Sequence, residues 1–415
     1  MGFRTQSPRA PSDLVRGVSR SGVNPEPTVK VRMEENTWLC TRAIRLTDGA
    51  CSSSCALKLV VLTLNRAMKT LTASTLRSLP SEVVLAAFRQ AIALARRHEG
   101  ATSPNPPVGC VLLDADGRVI STGSHHRAGS PHAEALALSV ARDAGRLGRL
   151  HTLVVTLEPC NHHGRTPPCA EVILDAPARE IWIACRDPNP SVVGGGAERL
   201  LAEGRTVRFL SALDHPSAPA VLADADRLLA PFAKRALTGR PFVTLKQALS
   251  LTGGMIPPPG QKTFTSAASL RLAHQLRRRA DAILTGSGTI LADNPLLTVR
   301  HVPDHRGKQR LLVILDRRRR VPMAYLEKAR RSGFVVHVLD TLDEGLDLVG
   351  AAGGMEVLVE AGPSLTASVL KHELWDEHVL IEQASEPGLE DRVTVRQRTF
   401  SPSPTAEVSG VFRHY

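Results

Sequence analysis

The amino-acid sequence predicts an α/β protein, and two observations support this. Segments with the apolar pattern of β-strands alternate with segments of helical spacing. This alternation occurs twice, in a block that begins at Ser81 and in a second block that begins at "GRPFVTLKQALS". It is typical of folds in which helices cover a mostly parallel sheet.

The first block opens with a helix that we expect to have Ser81 as its N-cap and to stop at Gly100. Its apolar residues recur at helical spacing, namely Val84, Phe88, Ala91, Ile92 and Ala95. The following segments predict a strand hairpin, a helix, a strand, a helix and a strand: "PVGCVLL" with "RVISTG", "HAEALALSVARDA", "TLVVTL", "CAEVILDA" and "EIWIAC". We place this domain at residues 81–212.

A helical connector is predicted over residues 213–240, followed by a second domain at 241–385. Its predicted elements are a strand, a helix, four strands and a helix: "GRPFVTLKQALS", "SAASLRLAHQLRRRA", "DAILTG", "RLLVILD", "FVVHVLD", "MEVLVEAG" and "SLTASVLKHELW". Residues 386–415 lose the pattern and are interpreted as a divergent tail.

Residues 1–80 lack sustained periodicity and are rich in Ser, Arg, Thr and Pro. Three interpretations stay open: a disordered segment, a targeting leader, or an annotated start that lies upstream of a true start at Met68. This region carries 12 basic and 5 acidic residues, so it supplies +7 of the formal net charge of +12. The remaining excess of about +5 over 335 residues is a weak basis for nucleic-acid binding.

Composition also limits the compartment and the core. Aromatic residues make up only 3% of the chain, so the cores must consist mainly of Ala, Leu and Val. Seven scattered cysteines favour a reducing, cytoplasmic location over a disulfide framework. No apolar run approaches the roughly 18 residues of a membrane span, so we expect no membrane partner.

Three residues of the first block form a potential set of zinc ligands. His132 opens a predicted helix, Cys160 follows the strand "TLVVTL", and Cys169 stands after two prolines at a helix start, where the macrodipole favours a thiolate. The eight residues between the cysteines must fold back for the two thiolates to meet. One imidazole and two thiolates leave the fourth position of Zn²⁺ for water, which is the composition of a catalytic site.

Glu134, two residues after His132, is the expected proton shuttle, because positions i and i+2 do not share a helix face. Zinc nucleobase deaminases combine such an H-x-E pair with a P-C-x-x-C pair, whereas here the second half is P-C-x8-C. A structural zinc site with a fourth ligand from Cys110, Cys185 or His163, or a set of unrelated core residues, remains the alternative.

Four segments resemble the bifunctional riboflavin-biosynthesis deaminase/reductases: "SPNPPVGCVLL", "GSHHRAGSPHAE", "VTLEPCNHHGRTPPC" and "DPNPSVVGGG". The resemblance covers about residues 81 to 385. It implies a cytidine-deaminase-like three-layer domain that deaminates 2,5-diamino-6-ribosylamino-4(3H)-pyrimidinone 5′-phosphate. By position, it implies zinc bound by His132, Cys160 and Cys169, Glu134 as the proton donor, and Asn105 at the substrate. His162 and His163 would be bystanders or would face the substrate.

The second block resembles the reductase domain of the same family in "LKQALSL", "LRRRADAILTGSGTILADNPLLTVR" and "VEAGPSL". The resemblance implies a dihydrofolate-reductase-like α/β domain that uses NADPH to reduce the ribosyl group to a ribityl chain. The implied cofactor contacts are Ala248, Thr289, Asp293, Gly362, Pro363, Ser364 and Leu365. The implied substrate contacts are Arg277, Leu297, Arg300 and Glu360.

Three expectations attach to these residues. The guanidinium groups of Arg277 and Arg300 suit a 5′-phosphate. Gly362 lets backbone N–H groups approach the cofactor phosphates at a helix N-terminus. The "GSGT" segment, which we do not expect to be followed by a helix, is not a dinucleotide fingerprint.

The second block also departs from the family pattern. Thr252 stands where an acidic residue is usual, "GQKTFTS" alters the stretch around Lys262, Arg317 replaces a common serine, and no closing strand is evident after Gln383. A deaminase with an impaired reductase domain is therefore the alternative function. Lys262 or Arg317 could instead serve the 2′-phosphate of NADPH.

We expect a small phosphorylated pyrimidine as the partner, no nucleic acid, and a homodimer formed through the reductase domain. A nucleic-acid editing protein is the competing class, motivated by the deaminase signature and a basic isoelectric point. Against it, few aromatic residues are available to stack on flipped bases.

Overall fold

The computed structural model describes the backbone of residues 32–34 and 37–39, and residues 78–162, 167–189, 195–257, 263–386 and 389–398. The chain divides into two compact units, Met1–Ala73 and Ser74–Tyr415. In the first unit, β1 (Arg32–Glu34) pairs antiparallel with β2 (Thr37–Leu39). The remaining predictions for residues 1–80, including the start at Met68, lie almost wholly outside the described residues.

The first sheet of the second unit contains five strands among the described residues, in the order β4-β3-β5-β6-β7. Its elements are α1 (Ser81–Arg96), β3 (Gly109–Asp114), β4 (Val119–Ser124), α2 (Ala133–Asp143), β5 (Leu150–Leu157), α3 (Cys169–Leu174), β6 (Glu180–Cys185), α4 (Gly196–Ala202), β7 (Thr206–Phe209) and α5 (Ala218–Thr238). β3 pairs antiparallel with β4 and β5, whereas β5, β6 and β7 are parallel.

Helices cover both faces of this sheet. Alternate residues of its strands face opposite sides, as Val111 and Leu112 of β3 do. One side packs against α1 and α5, and the other packs against α2, α3 and α4. The result is a three-layer domain whose cores are dominated by Ala, Leu, Val and Ile, in agreement with the low aromatic content.

The second sheet has seven strands within the described residues, in the order β11-β10-β9-β12-β8-β13-β14. Its elements are β8 (Phe242–Leu249), α6 (Ala267–Arg279), β9 (Ala282–Gly286), α7 (Ser287–Asp293), β10 (Arg310–Leu315), α8 (Met323–Arg331), β11 (Phe334–Leu339), α9 (Leu342–Ala351), β12 (Glu356–Glu360), α10 (Pro363–Lys371), β13 (Glu377–Glu382) and β14 (Arg392–Gln397). All neighbouring strands are parallel except β13 and β14. Apolar clusters lie on both faces, so this domain is also α/β.

Three expectations about local structure are wrong. The "GSGT" segment itself opens a helix, because α7 begins at its second residue, Ser287. The second sheet does not end at residue 385, since β14 closes it as an antiparallel edge strand. Pro80, and not Ser81, is the N-cap of α1, and its carbonyl accepts the first helical hydrogen bonds.

The predicted connector contains one long helix, α5. Its buried residues Val221, Ala225 and Leu228 belong to the core of the first domain. Gly239, in the left-handed conformation, ends the helix just before β8 begins. Among the described residues, no helix is long and apolar enough to cross a membrane.

Gly123 in β4 allows close packing of the helix that carries two of the predicted site residues. A Cβ atom at this position would overlap the carbonyl oxygen of Ala133 in α2. We expect Gly123→Ala to lower the free energy of unfolding by about 1–3 kcal/mol, measured by chemical denaturation. Gly148→Ala is the matched control, because nothing lies within 4 Å of a Cβ atom there. Equal stability of the two variants would contradict this account of the packing.

Candidate active sites

The first candidate site lies where α2 begins. His132 is the N-cap of this helix, and Glu134 lies in its first turn, where it is 3% exposed. The two side chains therefore leave the helix start in different directions, as the i, i+2 spacing predicts.

Cys160 and Cys169 meet His132 at this point. Cys160 follows β5, and Cys169 is the first residue of α3. The Nδ1 atom of His132 lies 3.3 Å from Sγ of Cys169 and 3.6 Å from Sγ of Cys160. The prediction that the loop brings both thiols to one histidine is confirmed, although residues 163–166 of that loop lie outside the described part.

The three side chains suit a divalent cation. Their ligand atoms all lie within 4.8 Å of one another, and no other such group of His, Cys, Asp and Glu occurs among the described residues. Hydrogen bonds from Cys169 and His132 lower the pKa of Cys160 to about 4, while the facing Cys160 raises that of Cys169. Two adjacent thiols thus share one proton, and a zinc ion fits because it balances both thiolates.

One detail differs from the expectation for the helix start. The backbone N–H of Cys169 donates to Sγ of Cys160 at 3.3 Å. The start of α3 therefore stabilises the thiolate of Cys160, whereas we had expected that effect at Cys169.

Glu134 lies beside this group with the properties of a proton carrier. Burial raises its pKa to about 7, an effect that exceeds the opposing influence of His132. A carboxyl group with this pKa can accept and return a proton near neutral pH.

His125 and Asn105 lie on another side of the site. His125 is not among the candidate residues predicted from the sequence. The His125 ring lies 5.3 Å from that of His132. Its Nδ1 is 3.1 Å from the carbonyl oxygen of Pro131, so Nδ1 carries the proton. Its Nε2 then accepts from the Asn105 side-chain amide at 3.3 Å. Burial lowers the pKa of His125, which keeps this ring neutral.

Glu158 holds the segment that carries Cys160, and sequence reasoning also missed this residue. Its carboxylate is 6% exposed and accepts from the backbone N–H of Ala197 at 3.1 Å. A Cβ atom at Gly196 would overlap the carbonyl oxygen of Pro159. The start of α4 thus packs directly on the backbone next to Cys160. The "EPC" motif could have suggested this role, because its acidic residue precedes the ligand by two positions.

Removing one thiol should abolish metal binding. We expect Cys169→Ala to lower bound zinc from about one per chain to less than about a tenth, because two ligands do not hold the ion. Elemental analysis of the purified protein measures this. Cys185→Ala serves as the control, since its Sγ lies 3.2 Å from Asp226 and outside the ligand group. Full zinc content in Cys169→Ala would contradict the assignment.

The second candidate site centres on Glu360 at the end of β12. Arg277, at the end of α6, donates two hydrogen bonds to this carboxylate, one from Nε to Oε1 and one from Nη2 to Oε2 at 2.8 Å. Lys246 of β8 lies 3.6 Å from Oε2. Burial would raise the pKa of Glu360, but the charges of Arg277 and Lys246 outweigh it and lower the value to about 2.

This pairing changes the expected role of Arg277. Its remaining nitrogen, Nη1, donates to the carbonyl oxygen of Thr298 at 3.2 Å. The guanidinium is therefore engaged by the protein itself and does not present a free fork to a phosphate. Arg300, whose side chain is exposed, remains available for that role.

The loop after α7 is held by a buried histidine. His274 accepts from the backbone N–H of Arg300 at 2.9 Å, and Leu297 is buried with a left-handed φ of 55°. Leu297, Arg300, Arg277 and Glu360 thus belong to one connected region.

The predicted cofactor residues lie at the carboxyl ends of adjacent parallel strands. Gly362 is the N-cap of α10 after β12, and the helix begins with Pro363, Ser364 and Leu365. Thr289 lies in the first turn of α7 after β9, and its Oγ1 accepts from the backbone N–H of Gly362 at 2.8 Å. This N–H is therefore bonded to Thr289, so any backbone donors for a phosphate must come from the following residues of α10.

The other two cofactor candidates lie further from this contact. Ala248 is near the end of β8, beside β12, and Asp293 is the exposed last residue of α7. Ligands of open α/β sheets bind at the carboxyl ends of the strands, so this arrangement suits a dinucleotide.

Two of the departures from the family pattern lie at exposed positions of the described chain. Thr252 is exposed in a turn, where its Oγ1 lies 3.0 Å from Oγ of Ser250. Arg317 is exposed after β10, whereas Lys262 lies outside the described residues. The loss of the closing strand is not among these departures, because β14 supplies it.

Two family models match the chain. One, described as the RibD C-terminal domain, matches residues 241–383. The other, described as the cytidine and deoxycytidylate deaminase zinc-binding region, matches residues 82–185.

Several characterised relatives match most of the chain. The riboflavin biosynthesis protein RibD of Aquifex aeolicus is 35% identical over 316 residues, which cover 71% of this chain and 85% of that protein. The Escherichia coli protein of the same name is 35% identical over 324 residues, covering 85% of its length.

Solved structures agree with these matches. RibD of Acinetobacter baumannii aligns with a TM-score of 0.62 at 32% identity, over 75% of this chain and 90% of that chain. A diaminohydroxyphosphoribosylaminopyrimidine deaminase/5-amino-6-(5-phosphoribosylamino)uracil reductase from Thermotoga maritima aligns with the same score at 31% identity, over 75% and 89%.

Proposed function

Because the chain belongs to the RibD family of riboflavin biosynthesis proteins, we propose that residues around Glu134 carry out its deamination step and residues around Glu360 its reduction step. The protein is a bifunctional enzyme. It deaminates 2,5-diamino-6-ribosylamino-4(3H)-pyrimidinone 5′-phosphate and then reduces the ribosyl side chain to give 5-amino-6-ribitylamino-uracil 5′-phosphate. Its cofactors are Zn²⁺ and NADPH.

In the deaminase site, His132, Cys160 and Cys169 would hold the zinc ion. When bound, Zn²⁺ supplies the Lewis acidity that makes water a nucleophile near neutral pH. Glu134 accepts the proton of the attacking water and returns it to the departing amine, which its raised pKa permits. The neutral His125 accepts from the Asn105 side-chain amide and so fixes its orientation, which leaves the amide oxygen of Asn105 to accept a hydrogen bond from the pyrimidine ring.

In the reductase site, NADPH supplies the hydride when it is bound. The residues at the starts of α7 and α10, namely Thr289 and the first turn after Gly362, would hold the cofactor. Glu360, fixed by Arg277, accepts hydrogen bonds from the ribosyl hydroxyl groups. Arg300 pairs with the 5′-phosphate.

The convergence of His132, Cys160 and Cys169 beside the buried Glu134 is the observation that supports this proposal most strongly. To test it, the zinc-loaded enzyme is given the diamino substrate without NADPH, and products are followed by mass spectrometry. We expect ammonia and the deaminated pyrimidine with its ribosyl group intact. Adding NADPH should then yield the ribityl product. Reduction that precedes ammonia release would overturn the order of the steps.

We also propose that the deaminase domain spans residues 81–212 and the reductase domain begins at residue 241, with the sheet of the latter extending to Gln397. A homodimer through the reductase domain is supported by edge strand β14, where Val393 and Val395 are 42% and 53% exposed. Sedimentation equilibrium of Val393→Lys/Val395→Lys tests this, and an unchanged dimer would exclude that edge.

A reducing compartment such as the cytoplasm suits this enzyme. The four cysteines in the described part of the chain are free, and two of them are the proposed zinc ligands. Oxidation of Cys160 and Cys169 to a disulfide would remove both thiolates from the metal. Zinc release under mild oxidation, reversed by a thiol reductant, supports the assignment. Stable zinc binding under those conditions would count against it.

A further inference from the structure

The two catalytic domains meet at the C-terminal end of α1. Arg278 of α6 donates through Nη2 to the carbonyl oxygen of Arg97 at 2.9 Å. His305, in the loop before β10, contributes Nε2 at 2.7 Å from the carbonyl oxygen of Glu99. Cationic and polar side chains of the reductase domain thus cap the free carbonyl groups of a deaminase helix.

Other contacts fix this junction. Ser103 of the deaminase domain donates to the Asp281 carboxylate at 2.8 Å, and Lys308 pairs with the same carboxylate at 2.9 Å. A Cβ atom at Gly100 would overlap the carbonyl oxygen of Arg279, so the two backbones are in direct contact. The positions of the basic groups at the junction are therefore set by the fold.

A pair of stacked histidines lies beside these contacts. The rings of His98 and His126 are 4.5 Å apart with an interplanar angle of 29°. Burial lowers the pKa of His98 to about 4, and the next contributions come from His126, His305, Arg278 and Arg97. The charged groups that act most strongly on His98 are thus all basic, and they come from both domains.

Arg97, His98, His126 and Arg278 form a basic cluster that is suited to an anion and not to a metal ion. Arginine is not a metal ligand, and stacked imidazoles do not aim their nitrogen atoms at one point. Guanidinium groups bind phosphate oxygens through charge-assisted hydrogen bonds, and the N–H of a neutral imidazole can donate a further one. A dianionic phosphomonoester would offset the positive charges of Arg97 and Arg278 together.

The cluster also lies next to both candidate active sites along the chain. His126 follows His125, which packs against His132 in the deaminase site. Arg278 follows Arg277, which forms a hydrogen-bonded ion pair with Glu360 in the reductase site. A ligand bound in the cluster would therefore contact one residue that is next in sequence to a residue of each site.

We propose that Arg97, His98, His126 and Arg278 form a phosphomonoester-binding site at the junction of the two domains, which retains the phosphorylated intermediate after deamination. The proposal rests on the proposed function for the identity of this ester. The binding chemistry itself requires only the terminal phosphate.

The test uses the full-length, zinc-loaded enzyme with His98→Gln/His126→Gln. These changes remove the stacked imidazoles and leave the Arg278 cap on Arg97 in place. Each half-reaction, assayed alone, should stay within about twofold of wild type. During the coupled reaction, the deaminated intermediate found in bulk solution should rise about fivefold, the upper end for a contact between exposed charges.

A second experiment uses inorganic phosphate as a competitor for the proposed site. At concentrations that leave each half-reaction unchanged, it should raise release of the intermediate from the wild type and have little further effect on the double variant. His372→Gln is the matched control, since His372 is exposed at the end of α10. His126 is exposed as well, so His126→Gln alone provides a variant that should fold normally.

Release equal to wild type in the histidine variants would overturn the proposal. A loss confined to the deaminase half-reaction would also overturn it, because the histidines would then serve that site alone. Failure of the proposed function is distinguishable, since the wild type itself would then release no ammonia or oxidise no NADPH.

Discussion

Glu134→Gln should lower the deaminase turnover by about a thousandfold while zinc stays bound. Glutamine has nearly the same shape as glutamate, so it preserves the packing around this buried position, but it cannot accept the proton of water and return it to the amine. Ammonia release measures the turnover, and elemental analysis measures the zinc. The reductase half-reaction, supplied with deaminated intermediate, should be unaffected.

Glu203→Gln serves as the control, because Glu203 is an exposed carboxylate that pairs with Arg199 on the surface. A zinc-loaded Glu134→Gln enzyme with full turnover would show that the ion has a structural role and that another group moves the proton.

Arg277→Met should cause the complementary defect. In this variant Glu360 stays buried but loses the guanidinium that donates to both of its oxygens. Of its two cationic partners only Lys246 remains, at 3.6 Å. We expect the free energy of unfolding to fall by about 3–5 kcal/mol, the cost of an uncompensated buried charge. The kcat/KM of reduction should fall about a hundredfold, because a displaced carboxylate no longer orients the ribosyl group. Deamination should continue.

Two further variants separate stability from function. Arg277→Met/Glu360→Gln removes the unpaired charge, so it should recover most of the lost stability without recovering reductase activity. Arg271→Gln, on the exposed face of the same helix, should change neither. Full reductase activity in Arg277→Met would contradict the role given to this pair.

The pair should also make stability depend on acid pH. The pKa of Glu360 falls from its ordinary value of 4.5 to about 2, so folding favours the charged form. This contribution is complete above pH 4.5 and is lost as the pH falls toward 2. The stability difference between wild type and Arg277→Met should therefore narrow over that range in denaturation experiments.

The sequence predicts most of the core elements because burial leaves a local pattern. All eight residues of β5 and all six of β6 are buried, and both strands appear in the sequence as apolar runs. The proposed zinc ligands are also identifiable locally, because His132 and Cys169 stand at helix starts and Cys160 follows a strand.

Elements without such a pattern were missed. Only one residue of β14 is even partly buried, since it is an edge strand, and its sequence "RVTVRQ" carries no strong apolar signal. The short helix α7 contains a glycine and follows its strand without a loop.

Contacts between distant residues were the least predictable. Arg277 and Glu360 are 83 positions apart, and nothing in either segment indicates that one binds the other. Glu158 acts through a backbone N–H at Ala197, which leaves no trace in the identity of that residue. Such pairings arise from the order of strands in the sheet, which the linear sequence does not specify.

The stoichiometry of the complete reaction tests the central claim most directly. Wild-type enzyme loaded with zinc is given the diamino substrate and excess NADPH, and ammonia and NADPH are measured in the same sample. We expect one NADPH to be oxidised for each ammonia released, with no oxidation before the first ammonia appears. Ammonia release without NADPH oxidation would contradict the account, because it would show a deaminase whose second domain does not act as a reductase.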